Sequence, residues 1–137
     1  MTTDEMPLES DLLSAVRQLP ALVNGDETLL RRGRYLDVDL MLEIGAAPCY
    51  ITVRGGRVAS LETGPLLMRS WSFAIRGSEN AWRQFWRPLP PPHFHDVFAL
   101  AKAGEFRIEG DLYPFMSNLL YFKGLLGAPR RLAEGIA

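Results

Sequence analysis

Residues 35–45 alternate with period two. Leu36, Val38, Leu40, Leu42 and Ile44 interleave with Tyr35, Asp37, Asp39, Met41 and Glu43. That pattern predicts a strand with one buried and one solvated face. Cys49, Ile51 and Val53, set against Tyr50, Thr52 and Arg54, predict a second strand over 48–54. Gly55-Gly56 follows, and only glycine takes positive φ freely at both centres of a tight hairpin. A third strand is expected over 57–63. A fourth is expected over 70–76 with Trp71, Phe73 and Ile75 inward, giving a four-strand antiparallel start.

Helical spacing flanks this block. Leu12, Leu13, Val16 and Leu19 predict a helix over 9–23, with Ser10 as N-cap and Pro20 limiting or kinking it. A short helical piece follows over about 26–33. Ser78-Glu79-Asn80 opens a helix carrying Trp82, Phe85 and Trp86, spaced as one helix face. Asp96 is a good N-cap for a helix over 97–103 ended by Gly104. A fifth strand is expected over 105–109, with Phe106 and Ile108 inward. Pro114 suits the first turn of a last helix over 114–126. Helix, four strands, helices, strand and helix make an α+β fold, with helices on one face of the sheet. The run Arg87-Pro88-Leu89-Pro90-Pro91-Pro92 reads as a stiff internal connection.

The last helix departs from the usual surface pattern. Phe115, Met116, Leu119, Leu120, Tyr121, Phe122, Leu125 and Leu126 point in nearly every direction around its axis. Such a helix packs in the core, walls a cavity, or offers apolar surface to a partner or membrane. Trp82, Phe85 and Trp86 carry the same choice between core and cavity. Met68, Met116 and Met41 could line a cavity adaptively, although Met41 belongs to the solvated side of its strand.

Composition narrows the classes. With 137 residues the chain is expected to form a single domain over 1–137. Hydrophobic residues at 47% exclude a disordered chain. Fifteen basic against sixteen acidic residues argue against nucleic acid as the main partner. The single cysteine, Cys49, excludes an internal disulfide and fits a reducing compartment, so a cytoplasmic location is expected. Acidic residues near the start and the lack of a long apolar run give no signal peptide and no membrane span.

Candidate chemistry is sparse. His93, His95 and Asp96 form an H-x-H-D cluster that could supply acid–base groups or bind a metal, or simply cap a helix and order a loop. Cys49 sits on an inward strand face, as an inert buried thiol does. No nucleophile elbow, phosphate loop or dinucleotide fingerprint is present. Arg130-Arg131 reads either as a solvated pair or as a contact for an anionic headgroup.

At Gly104-Glu105-Phe106-Arg107-Ile108-Glu109-Gly110-Asp111 the chain resembles the late strand of the sterol carrier protein 2 (SCP2) family. There a glycine opens a strand that ends in Gly-Asn or Gly-Asp before an apolar helix, here Pro114-Phe115-Met116 onward. The earlier order matches too: Ile44-Gly45, the strand with Tyr50, the Gly-Gly hairpin, and a strand leading to the Trp82 helix. The resemblance covers residues 35–126. It implies a five-stranded, mostly antiparallel sheet covered on one face by helices, with an apolar tunnel between the layers. It further implies binding and carriage or presentation of a fatty acyl, sterol, quinone or similar lipid, without a cofactor and without a shared catalytic triad. The tunnel lining would map to Phe106, Ile108, Phe115, Met116, Leu119, Leu120 and Phe122, and Trp82 and Phe85 join the ligand-binding set on the helical layer. A polar ligand end would meet Arg76, Arg83, His93 or His95 at the mouth. The partners expected are a hydrophobic small molecule and a partner enzyme in a separate chain or a membrane surface. Two rivals stand beside this: a small enzyme using His93, His95 and Asp96 in the same cavity, and an accessory subunit docking through helix 114–126.

Overall fold

The computed structural model of the chain describes residues 8–64, 69–87, 90 and 96–130, with side chains from residue 12 onward. Helices α1 (Leu8–Val16), α2 (Leu19–Asn24) and α3 (Glu27–Arg32) precede strands β1 (Asp37–Ile44), β2 (Ala47–Arg54), β3 (Arg57–Thr63) and β4 (Phe73–Gly77). Then come α4 (Glu79–Phe85), α5 (Val97–Lys102), β5 (Phe106–Gly110), α6 (Tyr113–Ser117) and α7 (Leu119–Gly127).

The five strands form one sheet in the order β3-β2-β1-β4-β5. β1/β2, β2/β3 and β4/β5 pair antiparallel. β4 was expected to extend an antiparallel meander. It instead lies parallel to β1, with Leu40 opposite Phe73 and Ile44 opposite Gly77. β1 and β4 are neighbouring inner strands, and Leu40, Leu42, Phe73 and Ile75 are all buried beneath the helices. Gly55 and Gly56 close the β2–β3 hairpin at φ +59° and +81°, as the sequence predicts.

The caps follow the sequence except at Ser10, which was expected to cap the first helix and instead lies within α1, two residues after its start at Leu8. Asp26 accepts from the Leu29 amide at 3.1 Å, Ser78 Oγ from Ala81 at 3.0 Å, and Asp96 from Phe98 at 3.0 Å. The expected helix over 9–23 is two helices, because Pro20 has no amide to donate and is seated in the first turn of α2. The expected last helix is also two, broken at Asn118, whose φ is −127°. There the Asn118 Nδ2 donates to the Pro114 carbonyl at 3.0 Å, taking the place of the backbone amide that continued helix would supply.

The helices cover one face of the sheet, and their apolar stripes and that face form one continuous core. The other face carries the polar residues of the alternation, but it is not uniformly wet. Met41 was expected on the solvated side, and it is only 3% exposed. It joins Tyr50, Ala74 and Trp71 in a second apolar cluster, so Trp71 lies on this outer face and not inward. Arginines roof the cluster. The Arg69 guanidinium lies 5.5 Å from the Tyr50 ring and that of Arg76 5.8 Å from Trp71. Arg69 also pairs with Glu62 and reaches Thr52 Oγ1 at 3.0 Å.

Candidate functional site

The α6–α7 segment is built outward from the central strand β4. The Phe73 ring lies 5.3 Å from that of Phe115 and 5.2 Å from that of Phe122, centroid to centroid. Phe98 of α5 reaches Phe115 at 5.4 Å. Alongside, Trp82 stacks on Phe106 at 4.5 Å and on Trp86 at 5.0 Å, and Phe85 meets both Trp82 and Phe106. Both indoles find acceptors: Trp82 Nε1 donates to Glu43 O at 2.9 Å and Trp86 Nε1 to Leu126 O at 2.7 Å.

The nine predicted lining residues therefore fall into three settings. Phe115 and Phe122 are buried against Phe73, and Trp82, Phe85 and Phe106 are buried in the adjoining aromatic group. Ile108 and Leu119 are half-buried at the edge of the core. Met116 and Leu120 face outward, 54% and 62% exposed. Sequence reasoning left Phe73 and Phe98 out of the set, although the period-two pattern already put Phe73 inward.

Tight approaches fix α7. Tyr121 Oη donates to Gly56 O at 2.5 Å, and burial pushes its phenol well above the usual range. Gly33 lies under the Tyr121 ring, and a Cβ at Gly124 would overlap Leu29. On the next turn Arg130 was expected in a solvated pair. Its Nε instead donates to Phe85 O at 3.1 Å, with the guanidinium over the Phe85 ring.

Clefts among the described residues open to solvent. One of about 320 Å³ runs between α3 and α7, lined by Asp26, Leu29, Arg32, Lys123 and Gly124. Another of about 280 Å³ lies between Phe85, Asp96, Val97, Lys123 and Arg130. A third, of about 340 Å³, lies against the α6–α7 break between Arg32, Met116, Asn118, Leu120 and Tyr121. Cations thus edge the helical layer from Arg32 to Lys123 and Arg130.

Arg76 was expected near the mouth, but it alternates with inward Ile75 and so occupies the opposite sheet face. It donates to Glu109 at 2.7 Å and Glu43 at 2.9 Å. Those bonds, Glu109 foremost, raise the Arg76 pKa, and the guanidinium holds the Glu109 carboxyl below the usual range. Asp96 has its carboxylate engaged in capping α5, while His93, His95 and Met68 lie outside the described residues. Among the described residues no cluster of three His, Cys, Asp or Glu side chains could hold a metal. No helix of the described residues is long and apolar enough to cross a membrane.

No family model matches the sequence, and no curated protein matches it. Solved structures do match in three dimensions. A crystal structure of sterol carrier protein 2 superposes with a TM-score of 0.67 at 11% identity, over 85% of this chain and 94% of that one. A Thermus thermophilus protein described as possibly a sterol carrier protein gives 0.63 at 12% identity, over 88% and 87%. A UbiJ-SCP2 ubiquinone synthesis protein gives 0.56 at 16% identity, over 95% and 97%. With its open five-stranded sheet and one-sided helical cover, this chain has the SCP2 fold.

Proposed function

We propose that the chain binds an elongated apolar ligand (fatty acyl, sterol, quinone or a similar lipid) between its sheet and its helical layer, and carries it or presents it to a partner enzyme. One observation carries this reading. The α6–α7 segment is apolar both toward the sheet, at Phe115 and Phe122, and toward water, at Met116 and Leu120. Folding needs only one apolar face on such a segment. The inner face receives a ligand that slides beneath the segment as it lifts, and the outer apolar side chains turn with it to meet the ligand at the rim. The SCP2 fold supports the same class of ligand, since solved proteins of that fold are named as sterol carriers and as a ubiquinone synthesis protein.

In this reading the rings of Phe115 and Phe122 separate from Phe73, with the break at Asn118 as the hinge. Ile108, Leu119 and Phe106 then flank the ligand chain, Trp82 and Phe85 close its far end, and Met116 and Leu120 form the rim. Binding is driven by removing apolar surface from water, about 0.8 kcal/mol for each methylene buried, less the cost of parting the rings.

Native mass spectrometry of the purified protein with saturated fatty acids tests it. One acyl chain is expected per protein, and two further methylenes tighten binding by about tenfold until the space is full. Leu119→Asp places a charge on the half-buried wall and is expected to lose binding with an unchanged far-UV spectrum. Retention of no acyl chain, sterol or quinone, or an affinity indifferent to chain length, overturns the reading.

A further inference from the structure

The two edges of the sheet differ. β3 forms one edge and β5 the other. A side chain closes the outer side of β3: Asn24 Nδ2 donates to Val58 O at 3.2 Å, and Val58 N donates to Asn24 Oδ1 at 2.9 Å. That carboxamide takes the two bonds a further strand would make. At β5 the ladder to β4 uses every second residue. Asp111 N donates to Ser72 O, and the pairs Glu109–Ala74 and Arg107–Arg76 continue that phase. The N–H and C=O groups of Phe106 and Ile108 therefore point away from β4, and among the described residues nothing bonds to them. The side chains of this edge are arranged symmetrically. Arg107 and Glu109 flank Ile108 with opposite charge. Both lie on the outer sheet face, where Arg107 donates to Glu109 at 2.8 Å and the Arg107 side chain is 73% exposed. Phe106 is buried against Gly77, and Gly110 has no side chain, so neither end of the strand presents an obstruction.

We propose that β5 is a self-association edge, which pairs antiparallel with β5 of a second copy about a two-fold axis through Ile108. In that register each Ile108 N–H donates to the Ile108 carbonyl of the other copy, and the Phe106 groups extend the ladder toward Gly110. Arg107 of each chain lies opposite Glu109 of the other, twice over by symmetry. Moving the axis by one residue sets Arg107 against Arg107 or Glu109 against Glu109, so the charges select Ile108 as the centre. Glu109 is already held by Arg76, which fixes the carboxylate that faces the second copy. On the helical side Ile108, half-buried in one copy, meets its equivalent. The two five-stranded sheets merge into one continuous sheet. A strand this short buries less area than a permanent dimer needs, so the association is reversible and depends on concentration. It does not require that a ligand be held within the protein.

Sedimentation equilibrium of the full chain, from about 1 μM to about 1 mM, tests it. A monomer–dimer equilibrium is expected, with the Ile108 amide exchanging its hydrogen more slowly as the dimer forms. Arg107→Glu sets like charges opposite each other across the axis, and so does Glu109→Lys. Each variant alone is expected to associate at least about tenfold more weakly than the parent chain. Mixed in equal amounts, the two variants restore both opposite-charge pairs, and association is expected to return. Should Glu109→Lys unfold by losing its bond with Arg76, Arg107→Glu at its exposed position and the Ile108 amide still decide. A chain that stays monomeric to about 1 mM leaves the edge to some other strand and overturns the proposal. So does a dimer in which Ile108 exchange is unchanged, or one that Arg107→Glu leaves equally tight. A mixture of the two folded variants that remains monomeric equally overturns it.

Discussion

Arg76 joins β1, β4 and β5 across the outer sheet face by holding Glu43 and Glu109 at once. Glu109 has its pKa lowered in the folded chain, so the stabilisation it supplies is present above the carboxyl's unfolded pKa. It is lost as pH falls through the folded value. Thermal melts on the acid side are therefore expected to show Glu109→Gln less sensitive to pH than the parent chain. Equal pH slopes would remove the network from the account. A second residue-scale prediction concerns Tyr121. Replacing it by Phe leaves Gly56 O without its donor in a buried setting, which should cost about 1–3 kcal/mol in denaturant titration. Neither interaction was legible in the sequence, because Arg76 to Glu109 and Tyr121 to Gly56 are joined only by the folded topology. Asp96 was legible as a cap and Ser78 as the start of a helix, since a cap is decided within three residues of itself, whereas Ser10, expected as a cap, lies inside α1.

Secondary-structure elements were legible where periodicity was unbroken, as in β1 and β2. They were misread where one side chain overrode it. Nothing in the apolar run from Phe115 to Leu126 announces a break, and Asn118 makes one by offering its amide to the Pro114 carbonyl. Asn118→Ala removes that competing bond and restores a strong helix former, so α6 and α7 are expected to fuse, with a gain in helical ellipticity. An unchanged spectrum would mean that packing on Phe73 imposes the break. Asp96→Ala is expected to cost about 1 kcal/mol by uncapping α5. Phe98 of that helix contacts Phe115, so the same change should loosen the α6 end of the layer.

For the whole molecule, the α+β class and the one-sided helical cover follow from the alternation, because a sheet with one apolar face must be roofed. The parallel pairing of β1 with β4 does not follow from it, since alternation fixes a strand's faces and not its neighbour. The outer cluster of Met41, Tyr50, Ala74 and Trp71 escaped for a related reason: arginine stems from Arg69 and Arg76 can dry a face that the pattern alone reads as wet. The candidate site was half legible. The sequence identified an over-apolar final segment, but not which residues turn inward, as Phe115 does, and which turn out, as Met116 does. In the fold that division gives the segment two apolar faces, and the functional account depends on the inner one parting from the sheet. A crystal structure of the chain with a bound long-chain fatty acid tests this most directly. The account predicts acyl density between β4–β5 and α6–α7, with the Phe115 and Phe122 rings swung away from Phe73. An acyl chain lodged in an outer cleft, with those three rings still in contact, would contradict it.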